Sequence, residues 1–234
     1  MSDNPRITLY TAPTPNGFKV AVFLEELKNT YGFNYDVRPI NVARGEQKEP
    51  WFIAINPNGR IPTIVDRVRN DFVVFETAAI LIYLQQHYDT DNKFGWDPKD
   101  HPDEYSEMLQ WMFFAHGGVG PMQGQLNHFR NAASEVVPYA LNRYLNEVKR
   151  LYGVLDLRLG QDRDYLAGTG RGMYSIADMN VLPWLRIREH SGLDNLDEWP
   201  NVKRWCENTL TRVAWEVAGN VGRAGDTASL YRVG

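Results

Sequence analysis

The 234-residue sequence predicts an α/β domain at the N-terminus and an all-helical domain after it. Stretches of alternating or β-branched residues, typical of strands, occur only in the first part of the chain. Residues 89–103 are rich in Asp, Asn, Lys, Gly and Pro, a composition typical of a linker. We therefore expect a first domain over residues 1–88, a linker over 89–103 and a helical domain over 104–234.

The elements of the first domain follow one another in the order βαβα and then ββα. Strands are expected at residues 7–10, 35–40, 63–68 and 72–75, and helices at 18–27, around 50–53 and at 76–88. This order predicts a small mixed sheet covered by helices, the layout of a thioredoxin-like unit. In the second domain we expect helices at 104–117, 139–159, 175–189 and 201–218, and a mobile or surface-lying tail from 219.

Ser175 and Asp178 have the spacing of a capping box at the start of one of these helices. Asp178 lies on a turn that is otherwise apolar. We therefore expect its charge to serve the backbone of the helix and not the chemistry of a site.

Charge and cysteine content exclude several classes of function. The net charge is −4, and no Lys/Arg block interleaves with aromatic residues, so nothing favours nucleic-acid binding. The single cysteine, Cys206, excludes an intrachain disulfide framework and fits a reducing compartment. With no leader-like start and no apolar run long enough to cross a bilayer, we expect a cytoplasmic protein without membrane contact. No metal site is expected.

Residues 56–63, Asn-Pro-Asn-Gly-Arg-Ile-Pro-Thr, combine a turn with the start of a strand. Pro57 presets φ, and the Asn-Gly pair after it tolerates positive φ. Pro62 cannot donate to a sheet ladder, so it must lie at a strand start, an edge or a bulge. If the bond before Pro62 is cis, the backbone of Ile61 faces outward and offers a docking edge to an extended, peptide-like ligand.

Glu76 and Thr77 come directly after the next strand, where a helix begins. A carboxylate, a hydroxyl and free N–H groups at a helix N-terminus can bind an α-amino-carboxylate. Taken singly, these features are also those of an ordinary turn, edge strand and helix cap. Their order and spacing together favour a binding site.

Together these features resemble the cytosolic glutathione transferase family. The resemblance rests on Ile61-Pro62 and Glu76-Thr77 in a thioredoxin-like half, followed by a linker and a helical half, and it covers residues 7 to about 218. Within the family the chain is most similar to the nu-class bacterial enzymes and the fungal nitrogen-regulator (prion-like) group. The motifs that carry this closer similarity are residues 14–19, 56–62, 120–124, 128–130 and 150–153.

The resemblance implies that the first domain binds glutathione, the tripeptide γ-Glu-Cys-Gly. It assigns the γ-glutamyl ammonium and carboxylate to Glu76 and Thr77, and the cysteinyl unit to the backbone of Ile61 beside Pro62. An acid suits an ammonium, and a strand edge suits a peptide. The alternative for Glu76 is a simple partner of the helix dipole. For the glycyl end the candidates are Arg60, Lys48 and Gln47.

The resemblance also implies that glutathione supplies the reacting sulfur as a thiolate. A free thiol has a pKa of ~8.5, and only the thiolate attacks. In the first loop, Asn16 is the preferred donor to the sulfur and Thr14 is the second choice. The helix N-terminus adds a favourable partial charge. Tyr10 is an alternative donor, although a packed strand aromatic is the more ordinary interpretation. Cys206 is expected to be a buried, inert thiol.

The implied activity is that of a glutathione-dependent disulfide-bond reductase with weak transferase or peroxidase activity on disulfides or small electrophiles. The alternatives are a non-catalytic glutathione-binding regulatory protein and, less favoured, a ligand-carrying protein. Family members are mostly symmetric dimers, so a homodimer is expected. Candidates for the second-substrate pocket, most of them also consistent with core packing, are Trp111, Phe114, His116, Met122 and Gln123, with Arg130 as an anchor for a second glutathione.

Overall fold

The structure is a computed structural model and describes residues 5–223. It contains two compact units, one of residues up to Tyr88 together with those from Arg212 onward, and one of Asp89–Thr211. This division differs from the expected ranges at two places. The expected linker lies inside the second unit, and the residues after 211 belong to the first unit. Within the described range, no helix is both long and apolar enough to cross a membrane.

A four-stranded sheet forms the centre of the first unit. Its strands are β1 (Ile7–Thr11), β2 (Tyr35–Pro39), β3 (Thr63–Asp66) and β4 (Phe72–Phe75), in the order β2-β1-β3-β4. β1 pairs with β2 in parallel and with β3 antiparallel, and β3 pairs antiparallel with β4. The mixed sheet confirms the predicted thioredoxin-like layout.

Three helices are interleaved with these strands: α1 (Pro15–Tyr31), α2 (Pro50–Ile55) and α3 (Thr77–Tyr88). Short 3₁₀ turns at Val42–Arg44 and Glu46–Lys48 precede α2. α1 and α3 pack against each other. The core of the unit consists of apolar side chains from these helices and from β1 and β3, among them Leu9, Val20, Phe23, Leu27, Ile64, Ile80 and Leu81.

The second unit is built from helices, as predicted. They are α4 (Pro102–Phe114), a π-helical turn (Ala115–Val119), α5 (Gly120–Asn131), α6 (Pro138–Leu159), α7 (Ile176–Arg186), a 3₁₀ turn (Arg188–Ser191) and α8 (Pro200–Thr209). Many of their apolar side chains are buried. The interior of this unit includes Met108, Met112, Tyr152, Leu155, Leu182 and Trp205.

The predicted capping box begins α7. The hydroxyl of Ser175 accepts the N–H of Ala177 at 3.3 Å, and Asp178 accepts the N–H of Ser175 at 3.0 Å. Asp178 also accepts from the N–H of Leu166 at 3.2 Å and from Nε1–H of Trp205 at 3.1 Å. Burial raises the pKa of Asp178 to about 7, whereas its hydrogen-bond donors act in the opposite direction. The carboxylate thus serves the backbone, as expected.

A last helix, α9 (Val213–Ala218), packs on α1 and does not continue α8. The single helix expected at 201–218 is interrupted, because the backbone of Arg212 is extended. The Arg212 guanidinium donates to both carboxylate oxygens of Glu26 on α1, at 2.6 and 3.0 Å. The ring of Trp215 packs edge-on against the ring of Phe18 on α1, with centroids 5.5 Å apart. The break allows α9 to bury its apolar residues in the first unit.

Residues 219–223 continue from α9 along the first unit. The backbone at Gly222 lies so close to Thr11 that an added Cβ would be 2.8 Å from the threonine methyl group. The rest of the tail, residues 224–234, lies outside the described residues, so its expected mobility stays a prediction.

Candidate functional site

The loop between β1 and α1 carries the two residues predicted to contact a sulfur atom. Thr14 is the N-cap of α1, and its hydroxyl accepts the N–H of Gly17 at 3.2 Å. The hydroxyl hydrogen is still available for donation. Asn16 is half-buried, and its side chain makes no hydrogen bond to any other residue of the described range. Two donors are therefore available at the positive end of a helix.

Gly17 allows α1 to begin close to β1. A Cβ at this position would collide with the carbonyl oxygen of Ala12 and the hydroxyl oxygen of Thr11. Only a residue without a side chain permits this approach. We did not predict this role, because a single sequence gives no signal that separates such a glycine from one in an ordinary turn.

The Ile61–Pro62 peptide bond is cis, and β3 begins directly after it. Pro62 is buried and Ile61 is half-exposed. Neither the N–H nor the carbonyl of Ile61 makes a hydrogen bond within the part of the chain that the structure describes. This backbone segment can therefore pair with an extended peptide that lies along it like an added strand.

Asn56 fixes the loop that leads to this segment. It is almost completely buried, and its Nδ2 donates to the carbonyl of Arg60 at 2.8 Å and to the hydroxyl of Thr63 at 2.9 Å. Its Oδ1 accepts the N–H of Asn58 at 3.0 Å. All three bonds stay within the loop and the start of β3. We predicted a turn residue here, and the structure adds that the amide holds the whole loop in place.

The residues predicted for the glycyl end of a ligand lie beside this loop. Lys48 donates to the carbonyl of Asn58 at 3.4 Å. Gly59 has a φ of 59°, and a Cβ there would be 2.9 Å from Nζ of Lys48 and 3.0 Å from the carbonyl oxygen of Gln47. The side chain of Arg60 is exposed. The side-chain amide of Gln47 instead donates to the carbonyl of Val42 at 3.4 Å. Lys48 and Arg60 are thus the two cations of this part of the chain that a carboxylate could pair with.

Glu76 directly precedes α3 and has a φ of 71°, in the left-handed region. Its carbonyl accepts the N–H of Ile80 at 2.9 Å, and its carboxylate accepts from Nδ2 of Asn58 at 3.2 Å. Thr77 is the buried first residue of the helix. The N–H groups of a first turn have no partner within the helix. The exposed carboxylate and these N–H groups can together bind an ammonium and a carboxylate.

Lys19, on α1, is a charged residue of this region that we did not predict. Only 1% of it is exposed. Burial lowers the pKa of its ammonium group to about 7, and the negative charge of Glu76 acts in the opposite direction. Lysine is rarely buried in full, so helical periodicity gave no reason to expect it in the interior.

Tyr10 and Cys206 occupy packed environments, as expected. Tyr10 is buried, and its ring lies 6.2 Å from that of Trp51 and 6.3 Å from that of Phe52. Cys206 is buried in the second unit, and burial raises the pKa of its thiol to about 12. A thiol held in the protonated form is a poor nucleophile.

Four of the predicted second-substrate residues lie in the second unit, where α4 passes through the π-helical turn into α5. The rings of Trp111 and Phe114 meet edge-on with centroids 5.4 Å apart. His116 lies in the π-helical turn and Met122 in the first turn of α5. All four side chains are half-buried, so each has a surface that a ligand could contact.

Gln123 and Arg130 differ from these four. Gln123 is fully buried, its amide donates to the carbonyl of Trp184 at 2.8 Å, and it accepts from the hydroxyl of Tyr152 at 2.9 Å. Both ends of the amide are used, so Gln123 is an interior residue and the proposed pocket does not include it. Arg130 is exposed but lies eight residues beyond Met122, which is about 12 Å along a helix. Arg130 is therefore separated from Met122 by about two turns of α5.

The first unit thus presents, along one loop and two helix starts, an acid, an unpaired backbone segment, cationic side chains and two free donors. This set suits an extended peptide that has an α-amino-carboxylate at one end, a carboxylate at the other and a polarisable atom between them. No group of three or more His, Cys, Asp or Glu side chains that could hold a metal ion occurs in residues 5–223.

Comparisons with known proteins match both units. A model of the glutathione S-transferase N-terminal domain matches residues 5–86, and one of the C-terminal domain matches residues 137–212. The chain is 39% identical to the disulfide-bond oxidoreductase YfcG of Escherichia coli, over 95% of this chain and 99% of that protein. It is 32% identical to the transcriptional regulator URE2 of Saccharomyces cerevisiae, over 86% of this chain and 63% of that protein. It superposes with a TM-score of 0.83, at 39% identity, on a glutathione transferase homologue from Lodderomyces elongisporus crystallised with two GSH per subunit, over 92% and 98% of the two chains.

Proposed function

Because this chain belongs to the glutathione S-transferase family, as its motifs predicted, we propose that it is a glutathione-dependent disulfide-bond reductase. The proposal rests on one observation: the first unit has a polar site suited to a peptide, but the protein has no accessible cysteine thiol. The one cysteine of the sequence, Cys206, is buried in the second unit. A thiol–disulfide reaction therefore needs a sulfur that the bound ligand brings.

Glutathione would lie along the first unit with its two ends held by charge. Its γ-glutamyl ammonium would contact the carboxylate of Glu76, and its γ-glutamyl carboxylate would accept from Thr77 and the N–H groups at the start of α3. Its cysteinyl unit would pair with the backbone of Ile61, next to Pro62. Its glycyl carboxylate would meet Gln47, Lys48 and Arg60.

The reacting group is the thiolate of this bound glutathione. Asn16 and Thr14 donate to the sulfur, and the N-terminus of α1 adds positive partial charge, so the anionic form is favoured. The thiolate attacks one sulfur of a disulfide, the S–S bond breaks, and the leaving thiolate takes up a proton. A second glutathione thiolate then attacks the mixed disulfide, releases the other thiol and forms oxidised glutathione. An electrophilic carbon attacked by the same thiolate would give transferase activity.

The second substrate would contact the aromatic group of the second unit. Trp111, Phe114, His116 and Met122 keep exposed surface there, and aromatic side chains suit small apolar disulfides or electrophiles. Arg130 is exposed and could pair with a carboxylate of a second glutathione. The crystallised relative holds two GSH per subunit, which supports the binding of a second glutathione.

A non-catalytic glutathione-binding regulator is the second candidate. The relative named as a transcriptional regulator matches 86% of this chain, so the same fold occurs in a protein with that role. The binding residues would be the same in both cases. Turnover is what separates the two functions.

We also propose that the protein is a homodimer and that it acts in the cytoplasm. β4 is an edge strand of the sheet, and it exposes 55% of Phe72 and 37% of Phe75. Exposed aromatic side chains on an edge strand favour contact with a second copy of the chain. Sedimentation analysis of the wild type and of Phe72→Asp tests this part, since a monomeric wild type would contradict it.

Reduction of hydroxyethyl disulfide by glutathione tests the function. Oxidised glutathione formed by the wild type and by Cys206→Ala is followed with glutathione reductase and NADPH, and glutathione binding is measured by calorimetry. We expect binding by both proteins and turnover that saturates with glutathione. Binding without turnover would favour the regulator, and turnover abolished in folded Cys206→Ala would contradict a ligand-borne thiol. Absence of binding would contradict both candidates.

A further inference from the structure

Asn58, in the loop between α2 and β3, contacts residues at both ends of the proposed glutathione site. Its side-chain Nδ2 donates to the carboxylate of Glu76 at 3.2 Å. Its backbone carbonyl accepts from Nζ of Lys48 at 3.4 Å. Asn58 is not one of the residues proposed to contact glutathione. It nevertheless contacts both the acid proposed for the γ-glutamyl ammonium and a cation proposed for the glycyl carboxylate.

The loop holds Asn58 in a fixed position. Its N–H donates to the buried amide of Asn56 at 3.0 Å, and the N–H of Gly59 donates to the carbonyl of Asn56 at 2.9 Å. Asn56 is in turn bound to Arg60 and Thr63, at the start of the strand. None of these bonds uses the side chain of Asn58. That side chain is therefore presented to Glu76 from a rigid support.

The side chain of Glu76 is exposed and long. Immobilising it costs rotamer entropy, and any part of that cost not already met in the free protein falls on the ligand when it binds. A hydrogen bond to one carboxylate oxygen restricts the side chain before the ligand arrives. Since a carboxylate offers about four lone-pair sites, accepting this bond leaves others for an ammonium.

We propose that Asn58 is a positioning residue that holds the Glu76 carboxylate in the orientation that receives the γ-glutamyl ammonium. The inference rests on the proposed function, because it needs glutathione at this site. It concerns one end of the ligand only. Removing the Asn58 side chain should therefore weaken every ligand that contains a γ-glutamyl group by the same factor.

The test compares Asn58→Ala with the wild type by calorimetry, using glutathione and γ-Glu-Cys, which lacks the glycyl end. The backbone of Asn58 is outside the left-handed region, so alanine fits there. We expect the Kd of both ligands to rise by the same factor, about 5- to 10-fold, as for the loss of a hydrogen bond worth about 1 kcal/mol or slightly more. In turnover, KM for glutathione should rise while kcat stays the same.

Three variants sharpen the comparison. Asn29→Ala removes an exposed asparagine of α1 and should change neither Kd. Lys48→Met should weaken glutathione but not γ-Glu-Cys, which marks the glycyl end. Asn58→Ala combined with Glu76→Gln should bind no more weakly than Glu76→Gln alone, since the asparagine acts through the carboxylate.

The inference is overturned if Asn58→Ala binds glutathione as the wild type does, if its effect disappears with γ-Glu-Cys, or if its effect adds fully to that of Glu76→Gln. Each of these results would leave the proposed function standing, because the wild type would still bind glutathione. Wild-type protein that binds no glutathione would instead remove the proposed function, and this inference with it.

Discussion

The charge of Lys19, buried on α1, interacts with the charge of Glu76, the residue directly before α3. A buried ammonium group is costly unless an anion compensates it. The negative charge of Glu76 opposes the lowering of the Lys19 pKa by burial, and the side chain of Glu76 is also exposed, so a ligand ammonium can reach it.

Replacing Glu76 by Gln should weaken glutathione binding strongly. The amide keeps the size of the side chain but removes the charge that pairs with the γ-glutamyl ammonium. Charge-assisted bonds are worth about 1.5–3 kcal/mol, so we expect Kd to rise about 10- to 100-fold in calorimetry. Glu135→Gln, the same change at an exposed site of the second unit, is the control. Equal affinity of Glu76→Gln and the wild type would exclude Glu76 from the site.

Replacing Lys19 by Met should change how stability depends on pH. The folded-state pKa of about 7 lies below the ordinary value of 10.5, so between these values the unfolded chain binds more protons than the folded protein. The unfolding free energy of the wild type therefore gains up to about 1.4 kcal/mol per pH unit from Lys19 as pH rises from about 7. Lys19→Met lacks this contribution, so its advantage over the wild type should be largest at pH 6 and should shrink by pH 9.

Denaturant unfolding at pH 6, 7.5 and 9 measures this difference. Lys99→Met removes an exposed lysine and should follow the slope of the wild type. A constant difference between Lys19→Met and the wild type across the three pH values would show that Lys19 does not titrate in this range.

Replacing Asp178 by Ala should destabilise the second unit. The change leaves the N–H groups of Ser175 and Leu166 and the Nε1–H of Trp205 without their acceptor in the interior. Unsatisfied buried donors cost about 1–3 kcal/mol each, so we expect a loss of about 3–5 kcal/mol in urea unfolding. Asp178→Asn keeps one acceptor oxygen and should lose less. A change below 1 kcal/mol in Asp178→Ala, no larger than in the exposed control Asp100→Ala, would contradict the capping role.

Replacing Gly17 by Ala should reduce turnover more than binding. An added Cβ collides with Ala12 and Thr11, so the first turn of α1 must shift and carry Asn16 away from the sulfur. We expect kcat for disulfide reduction to fall about 10-fold, as for a donor moved by about 1 Å, while Glu76 and Ile61 still bind glutathione. Gly153→Ala, where a Cβ makes only an ordinary contact, is the control. An unchanged kcat would mean that the start of α1 does not position the sulfur.

Much of the fold could be predicted from the local pattern of apolar and polar residues in the sequence. Strand β4 consists of aromatic and β-branched residues, and helices α3 and α6 have helical periodicity. Each was predicted to within a residue or two. The thioredoxin-like layout followed from the order of the predicted strands and helices. The family resemblance followed from that layout, the short motifs Ile61-Pro62 and Glu76-Thr77, the linker and the helical half. α9 could not be assigned, because its place in the first unit depends on contacts with α1, about 200 residues earlier in the chain.

The same distinction holds for the site. The groups proposed to contact the ligand could be predicted, because short sequence motifs indicate their chemistry. The residues that hold them in place were not predicted. The bond from Asn58 to Glu76 and the burial of Lys19 depend on how segments that are separate in sequence meet. The bonds of Asn56 are local, but a turn motif does not show that its amide is buried. Gln123 shows the converse, since a polar residue beside aromatic ones can have both ends of its amide bound in the core.

The most direct test of a ligand-borne thiolate is the kcat of Asn16→Ala for hydroxyethyl disulfide at saturating glutathione, measured beside its Kd for oxidised glutathione. Asn16 is proposed to stabilise the sulfur and not to hold the peptide, so we expect kcat to fall about 10- to 100-fold and Kd to change less than about 3-fold. Thr14→Ala should act in the same direction but less strongly. Unchanged turnover in Asn16→Ala with glutathione bound would contradict the account.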